Sequence, residues 1–368
     1  MKKIIISLLL LIFIGGCFNY NELNNYAIAQ AIAIDYDHQY NVSLLISNAK
    51  STDSKTSKNT VYSAKGKTIY EALQNLELIS PNKIYLGHLS VAVISDKVAK
   101  KGLYASLSPL LTNNHSNKDF YIILAKDTKA SKILKLPKPI TEFPSQYIAD
   151  NIKSTNKSQG KVSSITFNKL INQLISNNNP SINGFIIKDK YLQVDTLGYF
   201  KKDKLIGWAS EEESNGINLI NNHTNELYIN LKCNDGNIGI NTDNIQTKLH
   251  IDKKANTKII VKGEATINEV SCSMDINNKK VIKKLHKRIN NHITNYINQA
   301  INLSQNNQTD LFGIGKKYYQ NYPKRYQHID NWNKYFSHIK ITSKVNITIK
   351  DNGSLKQSIE RISHEKNY

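Results

Sequence analysis

The beginning of the chain constrains everything after it. Lys2 and Lys3 precede an apolar run from Ile4 to Ile14, and Gly15-Gly16-Cys17 follows. A short cationic region, an apolar core and small residues at a cut site make a secretory signal. The run is too short to cross a bilayer as a permanent helix, which needs about 20 residues. The cysteine narrows the type of signal. Ile14-Gly15-Gly16-Cys17 has the form of a bacterial lipobox, in which the Cys17 thiol receives diacylglycerol and the chain is cut between Gly16 and Cys17. Residues 1–16 are therefore set apart from the fold. The mature protein is expected to begin at an S-diacylglycerol Cys17, its new amine open to acylation, and to hang from a membrane by lipid.

Export and size bound the remainder. A chain of 368 residues exceeds what one core usually serves, so several domains are expected. Loss of residues 1–16 removes Lys2 and Lys3 and lowers the formal net charge from +20 to +18. Export argues against a nucleic-acid partner for that charge. An anionic membrane surface remains, as does a coding bias, since the chain is rich in Asn, Lys and Ile. Beside a membrane each Lys or Arg adds about 1 kcal/mol of attraction to anionic lipid.

With Cys17 assigned to lipid, Cys233 and Cys272 remain. Two cysteines in an exported chain this long make no disulfide framework, although a single pair stays open to them. Leu227, Ile229, Leu231 and Cys233 alternate, which favours Cys233 as a small buried hydrophobe with a free thiol.

Phe18 to Asn25 is short and polar and reads, with Cys17 and Tyr26, as a tether over residues 17–26. Ala27–Ile34 and Tyr40–Ile46 flank the turn cluster Asp35-Tyr36-Asp37-His38, the pattern of an antiparallel hairpin. Ser51–Asn59 is a Ser/Thr/Lys loop and Val61–Ala64 a short strand. Thr68, followed three residues later by Glu71, opens a helix as a capping box, and Ile69, Leu73, Leu76 and Ile79 give it one buried stripe until Ser80-Pro81. Further strands and short helices alternate as far as Pro137, which predicts an α/β layer structure. Lys138–Gly160 carries no strong period and is expected to be a long surface excursion. From Ser181 the texture becomes short strands and turns. Asn234-Asp235-Gly236-Asn237 marks a hairpin. Lys279 to Asn306 is the longest helix candidate, free of Gly and Pro, with Ile282, Leu285, Ile289, Ile293, Ile297 and Ala300 at helical spacing. Lys283, Lys284, Lys287 and Arg288 crowd its first half, against the helix dipole, so an anionic neighbour is expected there. Ile339, Ile341, Val345, Ile347 and Ile349 share one face of a last strand, before a polar tail. The expected fold is mixed α/β in three domains: 27–180 (α/β), 181–245 (small and β-rich) and 246–368 (α/β, with the long helix).

Five blocks along this chain resemble the Ger(x)C family, the C-subunit lipoproteins of spore germinant receptors. The first is Cys17-Phe18-Asn19-Tyr20-Asn21-Glu22 with Ala33-Ile34-Asp35 after it, where members usually carry Gly-Ile-Asp, and Phe18 where Trp is common. Gly66-Lys67-Thr68-Ile69-Tyr70-Glu71-Ala72 and Pro81 to Leu89, with Gly87-His88 near its end, follow. Lys204-Leu205-Ile206-Gly207-Trp208 with Glu211-Glu212-Glu213 is the most specific block. Asp310-Leu311-Phe312-Gly313-Ile314-Gly315 is the last, with Ile314 in place of a second aromatic, and the aromatic stretch Tyr318–Phe336 also fits. The resemblance implies a three-domain protein on the outer face of the spore inner membrane. There it would work with an A subunit and an integral-membrane B subunit in nutrient-triggered germination, without enzyme activity.

The residues themselves suggest no catalytic, metal or cofactor site. His88, alone before a buried strand, is read as a structural hydrogen-bonding residue rather than a base or ligand. Glu211–Glu213 are adjacent, so their side chains diverge, and they suit a helix start better than a cation. Gly313 and Gly315 lack the third Gly of a dinucleotide loop and follow a helix rather than a strand. Gly66, Glu71, Gly87, Gly207, Trp208 and Asp310 are expected to be structural. Two other functions stay in view: an exported lipoprotein that binds a small molecule directly, and an anchored spore-wall hydrolase, which would need paired carboxylates or a nucleophile and base.

Overall fold

A computed structural model describes residues 26–47, 59–112, 117–136, 144–159, 163, 165–176 and 178–350, with residues 144 and 153–159 described by backbone alone. Gly16, Cys17, the tether to residue 25, most of the loop after Ser51 and the tail from Asp351 lie outside the described residues.

Residues buried on both faces make a central strand, and β1 (Tyr26–Asp37) is one. Ala31, Ile32, Ala33 and Ile34 in succession are fully buried. β2 (Gln39–Ser47) and β3 (Asn59–Gly66) fold back on it as an antiparallel meander, the hairpin turning through His38 at φ 58°. β4 (Lys83–Tyr85) and β5 (Val91–Ser95) pair with β1 in parallel, and β6 (Tyr121–Ala125) and β7 (Ser181–Lys188) continue in the same direction. β8 (Tyr191–Lys201) and β9 (Lys204–Trp208) close the sheet antiparallel. The order β3-β2-β1-β5-β6-β7-β8-β9, with β4 beside β1, makes a nine-stranded mixed sheet.

Period-two alternation sends Ile32, Ile34, Leu44, Ile94 and Leu124 to one face. There α1 (Ile69–Ile79), α2 (Asp96–Lys101), α3 (Leu103–Thr112) and α6 (Phe167–Ile175) cover them through Leu76, Val98, Leu107 and Phe167. Ala31, Ala33, Leu45, Val93 and Ile123 face the other way, onto α4 (Ala130–Leu134) and α5 (Pro144–Gln159). α5 corrects the expectation of a surface excursion over 144–159, while 138–143 and 160 lie outside the described residues. Its helical residues are mostly polar, but Ile148, Ala149 and Ile152 are buried, and Ile148 and Ile152 pack on the sheet one turn apart. Pro144 stands at its first position, where a missing N–H costs nothing.

A second sheet has the order β10 (Leu227–Lys232), β11 (Asn237–Ile251), β12 (Thr257–Val270), β13 (Ile341–Ile349). The first three strands are antiparallel; β13 runs parallel to β12, and the crossover between them holds α8 (Lys279–Asn306). That helix buries Leu285, Ile289, Ile293, Ile297, Ala300 and Ile301 against the sheet, the stripe expected from its sequence. The stretch 181–245 supplies strands to both sheets: β7 to β9 to the first, β10 and most of β11 to the second. α7 (Glu211–Ile220) links them and crosses α8 closely. A Cβ at Gly216 would sit 2.0 Å from the Tyr296 carbonyl oxygen, so only glycine lets the helices meet there.

The free-thiol reading of Cys233 is overturned. Cys233, one residue past β10, is bonded to Cys272, two residues past β12, with a Cα–Cα distance of 6.4 Å. Their registers on the intervening β11 bring the two strand ends together: Lys232 pairs with Asn237 and Val270 with Ile238.

Candidate functional site

The two sheets meet at the C-terminal end of α8, and the loop there carries a buried carboxylate that accepts four hydrogen bonds. That residue, Asp310, is buried, with 5% of its surface exposed. Its Oδ1 accepts the N–H groups of Phe312 and Ile314, each at 3.1 Å, and its Oδ2 accepts the Gly315 N–H at 2.7 Å and the Trp332 indole N–H at 3.0 Å. Burial pushes this carboxyl above the usual carboxylate range; the four donors pull it back toward the charged form. The neighbouring glycines make the cage possible. Gly313 has φ 65°, which turns the successive N–H groups inward, and a Cβ at Gly315 would lie 2.4 Å from the Trp332 indole nitrogen. The Asp-Leu-Phe-Gly-Ile-Gly pattern thus has a physical reading: a carboxylate, a left-handed turn and clearance for an indole.

This loop also joins the sheets. The Asn179 amide donates to the Asp310 carbonyl at 3.3 Å and accepts the Lys202 N–H at 2.8 Å. The Thr309 hydroxyl donates to the Phe200 carbonyl at 3.2 Å, and the Asn221 amide to the Leu311 carbonyl at 3.0 Å. Beyond it, α9 (Ile314–Asn321), α10 (Pro323–Tyr326) and α11 (Trp332–Phe336) form an aromatic cluster. Tyr318 stacks on Trp332 at 5.8 Å between ring centroids, and Tyr326 lies 5.5 Å from the same indole. The Tyr318 and Tyr335 hydroxyls donate to the carbonyls of Lys253 and Lys254, which fastens the cluster to the β11–β12 turn.

The other motif residues lie elsewhere. Trp208 fills a slot over two glycines: a Cβ at Gly184 would come within 2.3 Å of its ring and one at Gly198 within 3.2 Å. Lys126, ion-paired with Asp195, stands 5.4 Å from the same ring. Gly207 lies against the Tyr199 ring. Glu213 and Ser210 form a capping box at the start of α7, while the Glu211 and Glu212 charges act on Tyr296 and His292 of α8. The anionic neighbour of α8 therefore meets its middle rather than the lysine-rich first turns. Glu71 N–H donates to Thr68 Oγ1 as expected, but the Glu71 carboxylate accepts from Lys67 N–H rather than from Thr68. Gly66 packs on the first turn of that helix. Gly87 lies against Tyr85, and the exposed His88 ring is edge-on to Tyr85 at 5.8 Å. These groups do not converge on one cleft.

Two buried polar residues were missed in the sequence. Asp35 accepts the N–H groups of Ala130 and Ser131 at 2.8 and 2.9 Å, fixing the start of α4 from 95 residues away. Asn179 bridges the sheets. Asp35 closes the Ala33-Ile34-Asp35 block, but nothing local tells that its partners are the Ala130 and Ser131 N–H groups, and nothing beside Asn179 tells of Asp310 and Lys202. Cys233, Asp235 and Cys272 lie close together, but the two sulfurs are bonded to each other and the Asp235 carboxylate accepts the Ser273 N–H and hydroxyl. Chemically, the Asp310 cage is a latch: its oxygens are occupied by the protein's own donors.

Comparison with known proteins adds to this geometry. Residues 19–187 match the family model of the spore germination protein N-terminal domain, and residues 195–353 that of the spore germination B3/GerAC-like C-terminal region. Spore germination protein KC of Bacillus subtilis is 26% identical over 388 residues, covering 95% of each chain. Spore germination protein GerQC of Bacillus cereus is 22% identical over 77% of this chain and 80% of its own. The crystal structure of the GerBC protein superposes with a TM-score of 0.57 at 13% identity, covering 90% of this chain and all of that one, which shows a shared fold. The chain belongs to the Ger(x)C family of spore germination proteins.

Proposed function

We propose that this protein is the lipid-anchored, non-enzymatic C subunit of a nutrient germinant receptor. In this reading the signal is cut before Cys17, diacylglycerol on its thiol holds the chain on the outer face of the spore inner membrane, and the folded part assembles with an A subunit and an integral-membrane B subunit. The observation that carries it is the tandem of both family domains directly behind a lipobox. The occupied Asp310 cage agrees with a docking role, because its polar groups serve the joint between the sheets rather than a substrate. A lipid anchor raises the effective concentration of a subunit beside membrane partners without adding a contact to them.

Mass spectrometry of the mature N-terminus tests the anchor. A peptide beginning at Cys17 with the added mass of diacylglycerol is expected, and Cys17→Ala is expected to lose that mass and membrane retention together. An unmodified Cys17, or full retention of the Ala variant, would refute the anchoring role.

A further inference from the structure

The end of the second sheet beside the Asp310 loop is a basic face with exposed aromatics. The β11–β12 turn and α11 border an open groove of about 880 Å³ lined in part by Lys254, His328, Lys334 and Tyr335. Lys340 lines a second groove of about 380 Å³ alongside, and Lys324 and Arg325 are exposed on α10. Tyr319 is 51% and Tyr335 37% exposed. The acids nearby are Asp330 and Asp252, and the Asp252 carboxylate is taken up by the N–H groups of Lys254 and Asn256. Among the described residues none of these lysines, nor Arg325, is within ion-pair distance of a carboxylate.

Topology puts this face at the end of the molecule where the chain enters. The parallel strands of the first sheet begin at that end, and so does β1, at Tyr26. The β8–β9 turn lies at the same end, since β8 runs antiparallel to β7. Lys201 there reaches the Asn307 carbonyl at the foot of α8. β1 is four strands from β8, about 19 Å. Eight residues lie between Cys17 and Tyr26, nine Cα–Cα steps with a reach of at most about 32 Å. The lysine-rich start of α8 lies at the far end of a 28-residue helix, about 42 Å away.

We infer that the face formed by the β11–β12 turn, α10 and α11 rests on an anionic phospholipid surface, with its cations over headgroup phosphates and its exposed tyrosines at the interface. Lysine and arginine supply attraction at short range, and tyrosine prefers the headgroup level. The inference rests on the anchored reading above, which brings this end to the membrane.

The test is vesicle flotation of the mature-length chain carrying Cys17→Ser, so that no acyl chain contributes. Binding is expected to vesicles of phosphatidylcholine mixed with phosphatidylglycerol, not to phosphatidylcholine alone, and to weaken with salt. Lys324→Glu, Arg325→Glu and Lys334→Glu together are expected to weaken it by at least about tenfold. Lys283→Glu, Lys284→Glu and Lys287→Glu, at the far end of α8, are expected to leave it nearly unchanged. If the first triple unfolds, Lys324→Gln with Arg325→Gln gives a smaller loss in the same direction. No binding to the anionic vesicles overturns the inference, and so does an equal loss from both triples, which would reflect overall charge. The mass at Cys17 reports the anchor separately, so failure of one reading is distinguishable from failure of the other.

Discussion

Replacing Asp310 with alanine removes the acceptor for four buried donors: the N–H groups of Phe312, Ile314 and Gly315 and the Trp332 indole. At about 1 kcal/mol for each orphaned donor, the low end of the range, the lost bonds amount to about 4 kcal/mol. Part of this returns because a charged group no longer has to be kept out of water, so a net loss of about 3 kcal/mol is expected. Asp310→Asn should cost less. Its amide oxygen can keep two donors, but its NH₂ then opposes the other two, for about 2 kcal/mol. Trp208 and Trp332 are the only tryptophans in the chain, so a Trp208→Phe background makes Trp332 the sole indole reporter beside the cage. Urea unfolding followed by its emission should show the midpoint falling by about 1–2 M for the alanine variant. The emission should also shift red before the main transition, as the joint between the sheets loosens. A loss below about 0.5 kcal/mol, or an indole that stays buried throughout, would refute the latch.

Other perturbations test other parts of the account. The Cys233–Cys272 bond closes a loop of 39 residues, for which chain entropy gives about 4 kcal/mol; Cys233→Ser with Cys272→Ser should lower stability by that order, and equal stability with and without reductant would argue against the bond. Gly216→Val would drive a side chain into the Tyr296 carbonyl and separate α7 from α8, with a loss of about 3 kcal/mol and a lower melting temperature; an unchanged melting temperature would contradict the close crossing. His292 is held below its ordinary pKa of 6.5 by burial, opposed by Glu212. Its neutral ring therefore favours folding, a contribution lost as pH falls below 6.5. Glu212→Gln should move the NMR titration of His292 still lower, and an upward move would show the carboxylate to be remote. Glu264 is held below its ordinary value mainly by the hydrogen bond from Lys350, and next by Asn244. The stabilisation is present above pH about 4.5 and fades as pH falls through the lower folded pKa. Lys350→Gln should therefore flatten the acid limb of the stability profile.

Elements whose apolar spacing is complete were legible in the sequence. Leu285, Ile289, Ile293, Ile297 and Ala300 marked α8 because nothing else places apolar residues every three or four positions over so long a run. The β1–β2 hairpin and the Thr68 cap were equally local. α5 escaped because the apolar residues that anchor it, Tyr147, Ile148, Ala149 and Ile152, are few among polar ones. The disulfide escaped for a different reason. Cysteine in an alternating strand is indistinguishable from any small hydrophobe, and the pairing depends on how β10 and β12 register on β11. Which sheet the strands from Ser181 to Trp208 would join is likewise a long-range matter. Of the candidate site, the Asp310 and glycine pattern was visible. Its meaning was not, because Trp332 and Asn179 reach Asp310 across 22 and 131 residues.

The central claim is membership in a receptor complex on the spore membrane, and co-purification addresses it most directly. A tagged chain recovered from detergent-solubilised spore membranes should bring an A subunit and an integral-membrane B subunit with it, in constant ratio through a second column. Recovery of the intact, anchored chain alone would contradict the account.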